Sequence, residues 1–519
     1  MVHRWSWFAP LAPLAVVLLT SCAPKEPPAP TITAPPPTAA YVPQADFCFS
    51  DTGGSAASPL CPVIPGDIGP NPAIAQKVAY NGILGGLPTS AATDPQTPFD
   101  NLSWQTFVAL NWTASAVSQP AQQGLQGSGL RVWQSWPRVA DIFGNSPVQA
   151  NCNNIPAGAM VFSIASNGKG QPGANNEEYI QAATGDPLID VSGNWTIYER
   201  RVNDIEVSYL QAPRGNKSWS LTNLAGQGAF VKAGQTVDFP SIRETSTTGA
   251  IEIKAAWRVL DPAQRSQNQT KYFVVPAFLM VAPDLVTGGQ PICAPVDMGL
   301  VAMHIIQKNP LTDNALEPEW FWSTFEHVDN APLAQNACDP ANPGNCSWFG
   351  NLNCTAATVA GQTYSYNSPN CPGCAVNLAP TPNSSGTPFS WNPSQPYAKA
   401  FLTPTGNPAT PTVGTQVSRC YDIYTLTSEL NQQWRGQLAA VGSVFQNYML
   451  IGTQWGASLT DPPDPKFPQN AVPSLLSNSV VETYLQTLYD PKNPFGTGSC
   501  ISCHSAATLP VDNTTSANL

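Results

Sequence analysis

Apolar side chains at Phe99, Leu102, Phe107 and Leu110 recur at helical spacing and predict a helix over 99–112, with Asp100 or Asn101 as its cap. Another helix is predicted over 72–85. From 155 to 330 the pattern changes to short apolar runs, at 159–164, 250–260, 271–281, 299–306 and 320–327. The run at 250–260 alternates through much of its length, as a half-buried strand does. Residues 195–210 predict a helix interrupting this series, with Glu199 and Arg200 ahead of Val202, Ile205 and Tyr209. After 425 the pattern is helical again, over 426–450 and 479–489. The fold class expected is α+β: a β-rich antiparallel central body with flanking helices and many long loops. No repeat of fixed period is present.

Composition adds the compartment. The 519 residues include 54 Pro and 38 Gly, only 11% are charged, and the net charge is −11. No basic stripe exists to neutralise phosphates, so nucleic-acid binding is excluded as an expectation. Residues 1–4 form a basic start, and 5–19 are apolar but too short to span a membrane comfortably. Leu19-Thr20-Ser21-Cys22 follows and resembles the bacterial lipobox, which implies acylation of Cys22 and a stable membrane anchor. Residues 23–45 are Pro- and Ala-rich and read as an extended tether. The expected organisation is a lipoprotein signal peptide at 1–21, a tether at 22–45, a β-rich body at 46–424 and a helical region at 425–519. The location expected is the bacterial cell envelope, facing the periplasm or the exterior.

There are 13 cysteines. Setting aside Cys22 for lipid and Cys500 with Cys503 for a separate motif leaves ten, enough for five disulfides in an oxidising compartment. Six of the ten, Cys338, Cys346, Cys354, Cys371, Cys374 and Cys420, fall in a loop-rich stretch. That stretch is expected to be a disulfide-stapled insertion at about 335–420. Cys48 and Cys61 are candidate partners. Cys371-Pro372-Gly373-Cys374 has no βαβ context for thioredoxin-like chemistry and no nearby His for zinc, so it reads as structural.

The chemistry is concentrated in Cys500-Ile501-Ser502-Cys503-His504. C-x-x-C-H is the c-type haem attachment signature. Two thiols add across the two vinyl groups of the porphyrin, and the adjacent His is placed as proximal iron ligand. A structural disulfide with an incidental His, or a zinc site with an unidentified fourth ligand, are the competing readings. With the export signal, the chain resembles a bacterial c-type cytochrome lipoprotein. The resemblance covers about 40 residues and leaves the larger body unmatched. It implies one covalent haem c per chain in a small helical C-terminal segment, electron transfer, and a redox partner protein.

Only 15 residues follow His504, and none is Met or His. A sixth iron ligand must therefore come from upstream. His327, where a Trp-rich strand meets a polar turn, is the first candidate, with Glu326 or Asp329 to orient its ring. His304 and Met449 are the alternatives, Met303 is a further candidate, and Met160, Met280 and Met298 are weaker ones. Two function classes remain open. One is an electron-transfer lipoprotein, with a substrate site in its body as a further expectation. The other is a haem-dependent oxidoreductase, peroxidase- or oxygenase-like, acting on a small molecule at an open distal iron site. No G-x-G-x-x-G after a strand, H-E-x-x-H or P-loop points to a second cofactor.

Overall fold

One long strand organises the sheet. β5 (Ile292–Asn309) carries β3 along one edge, while β4 and β6 take successive halves of the other. The computed structural model describes residues 60–65, 96–143, 155–164, 179–181, 187–285, 291–309, 319–338, 354–355, 362–367, 376–377, 416–456, 471–486 and 500–505, isolated positions inside these stretches excepted. All belong to one compact unit, Pro43–Leu519. The signal and tether segments with Cys22, the helix expected over 72–85 and most of the 335–420 insertion lie outside them.

The remaining strands are β1 (Met160–Ile164), β2 (Ile197–Val202), β3 (Ile251–Leu260), β4 (Val274–Val281), β6 (Glu319–His327), β7 (Leu333–Cys338), β8 (Arg419–Tyr421), β9 (Tyr448–Gly456) and β10 (Ala471–Val472). The main helices are α1 (Gln96–Leu110), α2 (Ala121–Gln126), α3 (Asp204–Gln211), α4 (Leu224–Lys232), α5 (Arg265–Lys271), α6 (Thr425–Ala440) and α7 (Cys500–Ser505). The central sheet runs β1-β4-β5-β6-β9-β10, with β3 and then β2 added beside β5. Its pairings are antiparallel except β1 with β4. The fold is α+β and β-rich, with a mixed sheet. None of the helices among the described residues is long and apolar enough to cross a membrane.

α1 and α6 cover one face of β6 and β9. The expected apolar positions of α1 are all buried, and so are most of the polar ones between them. A helix buried all round must find partners for its polar groups. Ser103 Oγ lies 2.6 Å from both Ser323 Oγ and Thr453 Oγ1, tying α1 to β6 and β9. Asp100 accepts from Thr427, and Trp104 Nε1 donates to Asn431 Oδ1 at 2.9 Å, tying α1 to α6. Phe99 stacks on Trp455 at 4.1 Å, and Phe107 stacks on Phe325 at 4.2 Å.

Three sequence expectations are corrected. Residues 195–210 are not one helix. β2 comes first, because Glu199 is satisfied inside the core by Arg138, Arg201 and Trp257 Nε1. Only then does Asn203 cap α3, accepting from Glu206 N–H. The helix expected over 426–450 stops at Ala440, where Gly442 takes φ +70°, a conformation that favours glycine. Tyr448–Gly456 then runs as a strand inside the central sheet, so the region after 425 completes the body. Of the helix expected over 479–489, the described part, 479–486, is a turn followed by a short 3₁₀ segment, Thr483–Leu485, and the rest lies outside the described residues. There Asn478 Oδ1 accepts from Val480 and Val481 N–H, and Glu482 accepts from Asn478 N–H. Such local side-chain bonds compete with a helix.

Cys354 and Cys420 form a disulfide, and Cys61, Cys293 and Cys338 are also disulfide-bonded. Cys500 and Cys503 are not. All five described cysteines assigned to structural bridges are therefore bridged, and the two assigned to the separate motif remain thiols.

Phe325 is the anchor of this packing, fully buried against Trp104 and Phe107. Phe325→Ala should lower the unfolding free energy by about 3–5 kcal/mol, read from denaturant midpoints at constant m-value. A loss under about 1 kcal/mol would contradict the packing role given to α1 on β6.

Candidate haem-attachment site

Alternation along β6 divides its side chains between two faces. Phe321, Ser323 and Phe325 meet α1. Trp322, Thr324 and Glu326 face the other way, toward His504, Asn478 and Ser479. The short helix α7, which carries the C-x-x-C-H motif, sits on this second face.

Two residues directly paired across β6 and β9, Trp322 and Gln454, hold α7. Gln454 Oε1 accepts from Ile501 N–H at 2.8 Å, and the Trp322 ring lies 4.3 Å from the His504 ring at 49°. Residues three apart share one side of a helix, so Cys500 and Cys503 project to the same side. Cys500 is half-buried and packs on an apolar patch formed by Met449, Ile451 and Leu476, bordered by Val328 and Ile423. Its Sγ lies 3.9 Å from the Leu476 carbonyl. Burial pushes the Cys500 thiol well above its ordinary pKa, with Glu482 and Cys503 adding to the effect. Cys503 is half-buried and His504 is exposed. Trp322, Gln454 and Glu482 were not singled out in the sequence as site residues. The alternation at 320–327, which sets Trp322 apart from Phe321 and Phe325, was the available signal for the first.

The expected distal candidates separate. His327 is 1% exposed, at the far end of β6 from Trp322. Five residues at about 3.3 Å each put about 16 Å between their Cα atoms. Both its ring nitrogens are engaged. Nε2 donates to the Lys271 carbonyl at 2.8 Å, and Nδ1 accepts from Asp329 N–H at 3.1 Å. Tyr272 lies against the ring at 4.4 Å. His327 thus packs and ties β6 to the C-terminal end of α5, and Asp329 reaches it through its backbone N–H rather than its carboxylate.

His304 is nearer the motif. It stands opposite Thr324 in the β5–β6 register, on the face that carries Trp322 two residues along. A carboxylate does orient its ring: Nε2 meets Glu482 Oε1 at 2.8 Å. Burial raises the Glu482 carboxyl, but the His304 charge and hydrogen bond, Lys254 and Asn478 N–H together hold it below the ordinary carboxylate range. Met449 belongs to the patch that receives Cys500, and its Sδ takes a hydrogen bond from Arg419 Nη1 at 3.4 Å. Met160 lies on β1, Met280 on β4, and Met298 and Met303 on β5.

Among the described residues, no three His, Cys, Asp or Glu are grouped to hold a metal ion. The donor set at α7 is instead two thiols on one helical turn, one adjacent imidazole and an apolar patch. That set suits a flat apolar macrocycle fixed by two sulfur bonds and one axial nitrogen.

His327 supplies a test of this geometry. Burial pushes its pKa from 6.5 down to about 4, against the opposing Lys271 carbonyl and Asp329. The unfolded chain takes up this proton below about pH 6.5, while the folded chain resists until about pH 4. This contribution to stability is complete above pH 6.5 and declines through the window by up to about 1.4 kcal/mol per pH unit. Urea unfolding at pH 7, 6 and 5 should show that slope in the wild type and a smaller one in His327→Gln. Equal slopes would mean that the imidazole is not held neutral in the core.

No protein-family model, no curated protein and no solved structure matches this chain, so its own residues carry the functional reading.

Proposed function

We propose that the chain is a monohaem c-type cytochrome lipoprotein of the bacterial envelope, anchored through Cys22 and exchanging electrons with a redox partner protein. The observation that carries this is the state of the sulfurs. The described cysteines outside the motif are bridged, while Cys500 and Cys503 stay as thiols on one side of a docked helical turn. The competing disulfide reading is disfavoured on that ground. A dithiol redox role is disfavoured because the raised Cys500 pKa leaves little thiolate at neutral pH.

Haem c, when bound, supplies a one-electron couple at its iron. The chain's own groups do the rest. Cys500 and Cys503 would hold the group through their two sulfurs, each thiol adding across one vinyl group. His504 would supply an imidazole nitrogen to the iron, and Trp322 lies against that ring from the sheet side. Gln454 fixes the first turn of α7 through Ile501 N–H. The apolar patch of Met449, Ile451 and Leu476 excludes water beside Cys500.

Protein matured with a competent haem-attachment system should keep its haem through denaturation and acidic organic extraction. Cys500→Ala with Cys503→Ala should lose it. Haem that leaves with the solvent, or none in the wild type, would end this reading.

A second reading has one observation in its favour. His327 has both nitrogens engaged, the His304 Nε2 is taken by Glu482, and the Met449 sulfur faces Arg419. A haem held by His504 and by none of these groups would suit a haem-dependent oxidoreductase acting on a small molecule. The ferric optical spectrum separates the two. A high-spin spectrum that shifts on adding cyanide supports the open site, whereas a low-spin spectrum unmoved by cyanide supports electron transfer alone.

A further inference from the structure

The patch that receives Cys500 has a cation at its border. Arg419 lies on β8, beside the bridged Cys420, and donates through Nη1 to Met449 Sδ at 3.4 Å. A thioether sulfur is a weak acceptor, and a guanidinium stays protonated at any ordinary pH. Among the described residues Arg419 forms no ion pair, and its Nε is buried without a hydrogen-bond partner. Leaving such a donor unmade is costly. An acid close enough to feel Arg419 is Glu326, and it is committed elsewhere. Its two oxygens accept from Ser479 N–H and Ser479 Oγ–H, and burial pushes its pKa up.

The arrangement suits a ligand that is apolar where it meets this patch and anionic at its rim. Met449, Ile451 and Leu476 suit the face, and Cys500 fixes one edge of it. The guanidinium fork suits a carboxylate at the rim, which it would take through two parallel N–H bonds. Porphyrin IX has this form, since its two propionates project from the side away from the vinyl groups. We propose that Arg419 binds a haem propionate, and so fixes how the macrocycle is turned about its thioether bonds. This rests on the haem reading of α7. The Cys354–Cys420 disulfide holds the strand that presents the guanidinium, so little order has to be gained on binding.

The test uses the full-length, haem-loaded protein. Reduction potentials are measured by optical titration from pH 5 to pH 9 in wild type, Arg419→Gln and Arg419→Lys. Without the guanidinium, the extra negative charge at the rim favours the ferric state. Arg419→Gln should therefore have a lower potential, and its propionate-linked step should move to higher pH. Arg419→Lys keeps the charge and loses the fork, so it should fall between the two. Covalent haem content by denaturing gel should be the same in all three. Equal potentials and pH profiles in haem-loaded wild type and Arg419→Gln would overturn the proposal and leave the haem reading standing. Should Arg419→Gln fail to fold, a lysine variant with the wild-type profile overturns it equally. Absence of covalent haem from the wild type would instead remove the reading beneath it.

Discussion

The pairing of β6 with β9 is the contact on which the rest depends. It joins Trp322–His327 to Tyr448–Gln454, across more than a hundred residues of chain. One face of this ladder receives α1, through the Ser103, Ser323 and Thr453 hydroxyls and the Phe107–Phe325 stack. The other face receives α7, through Gln454 and Trp322. Because side chains alternate across a strand, shifting either strand by one residue would exchange the two sets. The position of the C-x-x-C-H turn is therefore tied to the packing of the core on the far side of the same strands.

With so few charges in the chain, several of the buried ones are gathered into pairs and clusters. Glu199 gathers Arg138, Arg201 and the Trp257 indole, Asp190 pairs with Arg258, and Asp297 with Arg265. Truncating one member of such a set leaves the other exposed to the full cost of burial. Arg419 stands outside these pairs, with its Nε unmet, as the Nε of the buried Arg131 also is.

Much of the fold was legible, for physical reasons that also explain the failures. The strands at 250–260 and 320–327 and the helix from Phe99 to Leu110 announced themselves because burial on a sheet face or against a sheet imposes a period. Residues 195–210 misled because Glu199 and Arg201 look solvent-exposed in sequence, yet neutralise each other inside. Residues 444–450 misled because nothing local tells a buried strand from the continuation of a helix, and only Gly442 marks the break. The C-x-x-C-H motif was legible because its spacing is local. His327 was favoured over His304 from neighbours in sequence. The orienting carboxylate came instead from Glu482, which a tertiary turn brings to His304.

The late arrival of β9 in the chain also shapes how the protein is made. α1 needs Trp455 and Thr453 to bury its outer positions, and β6 needs the same strand to close its edge. Until residues 448–456 have emerged, a hydrophobic helix has only part of its groove and a central strand has an open ladder. Such an edge invites pairing with other chains. Contacts this distant in sequence also make for slow folding. A polypeptide synthesised from its N-terminus thus carries β1 to β6 with the β9 edge of β6 still open until residues 448–456 exist.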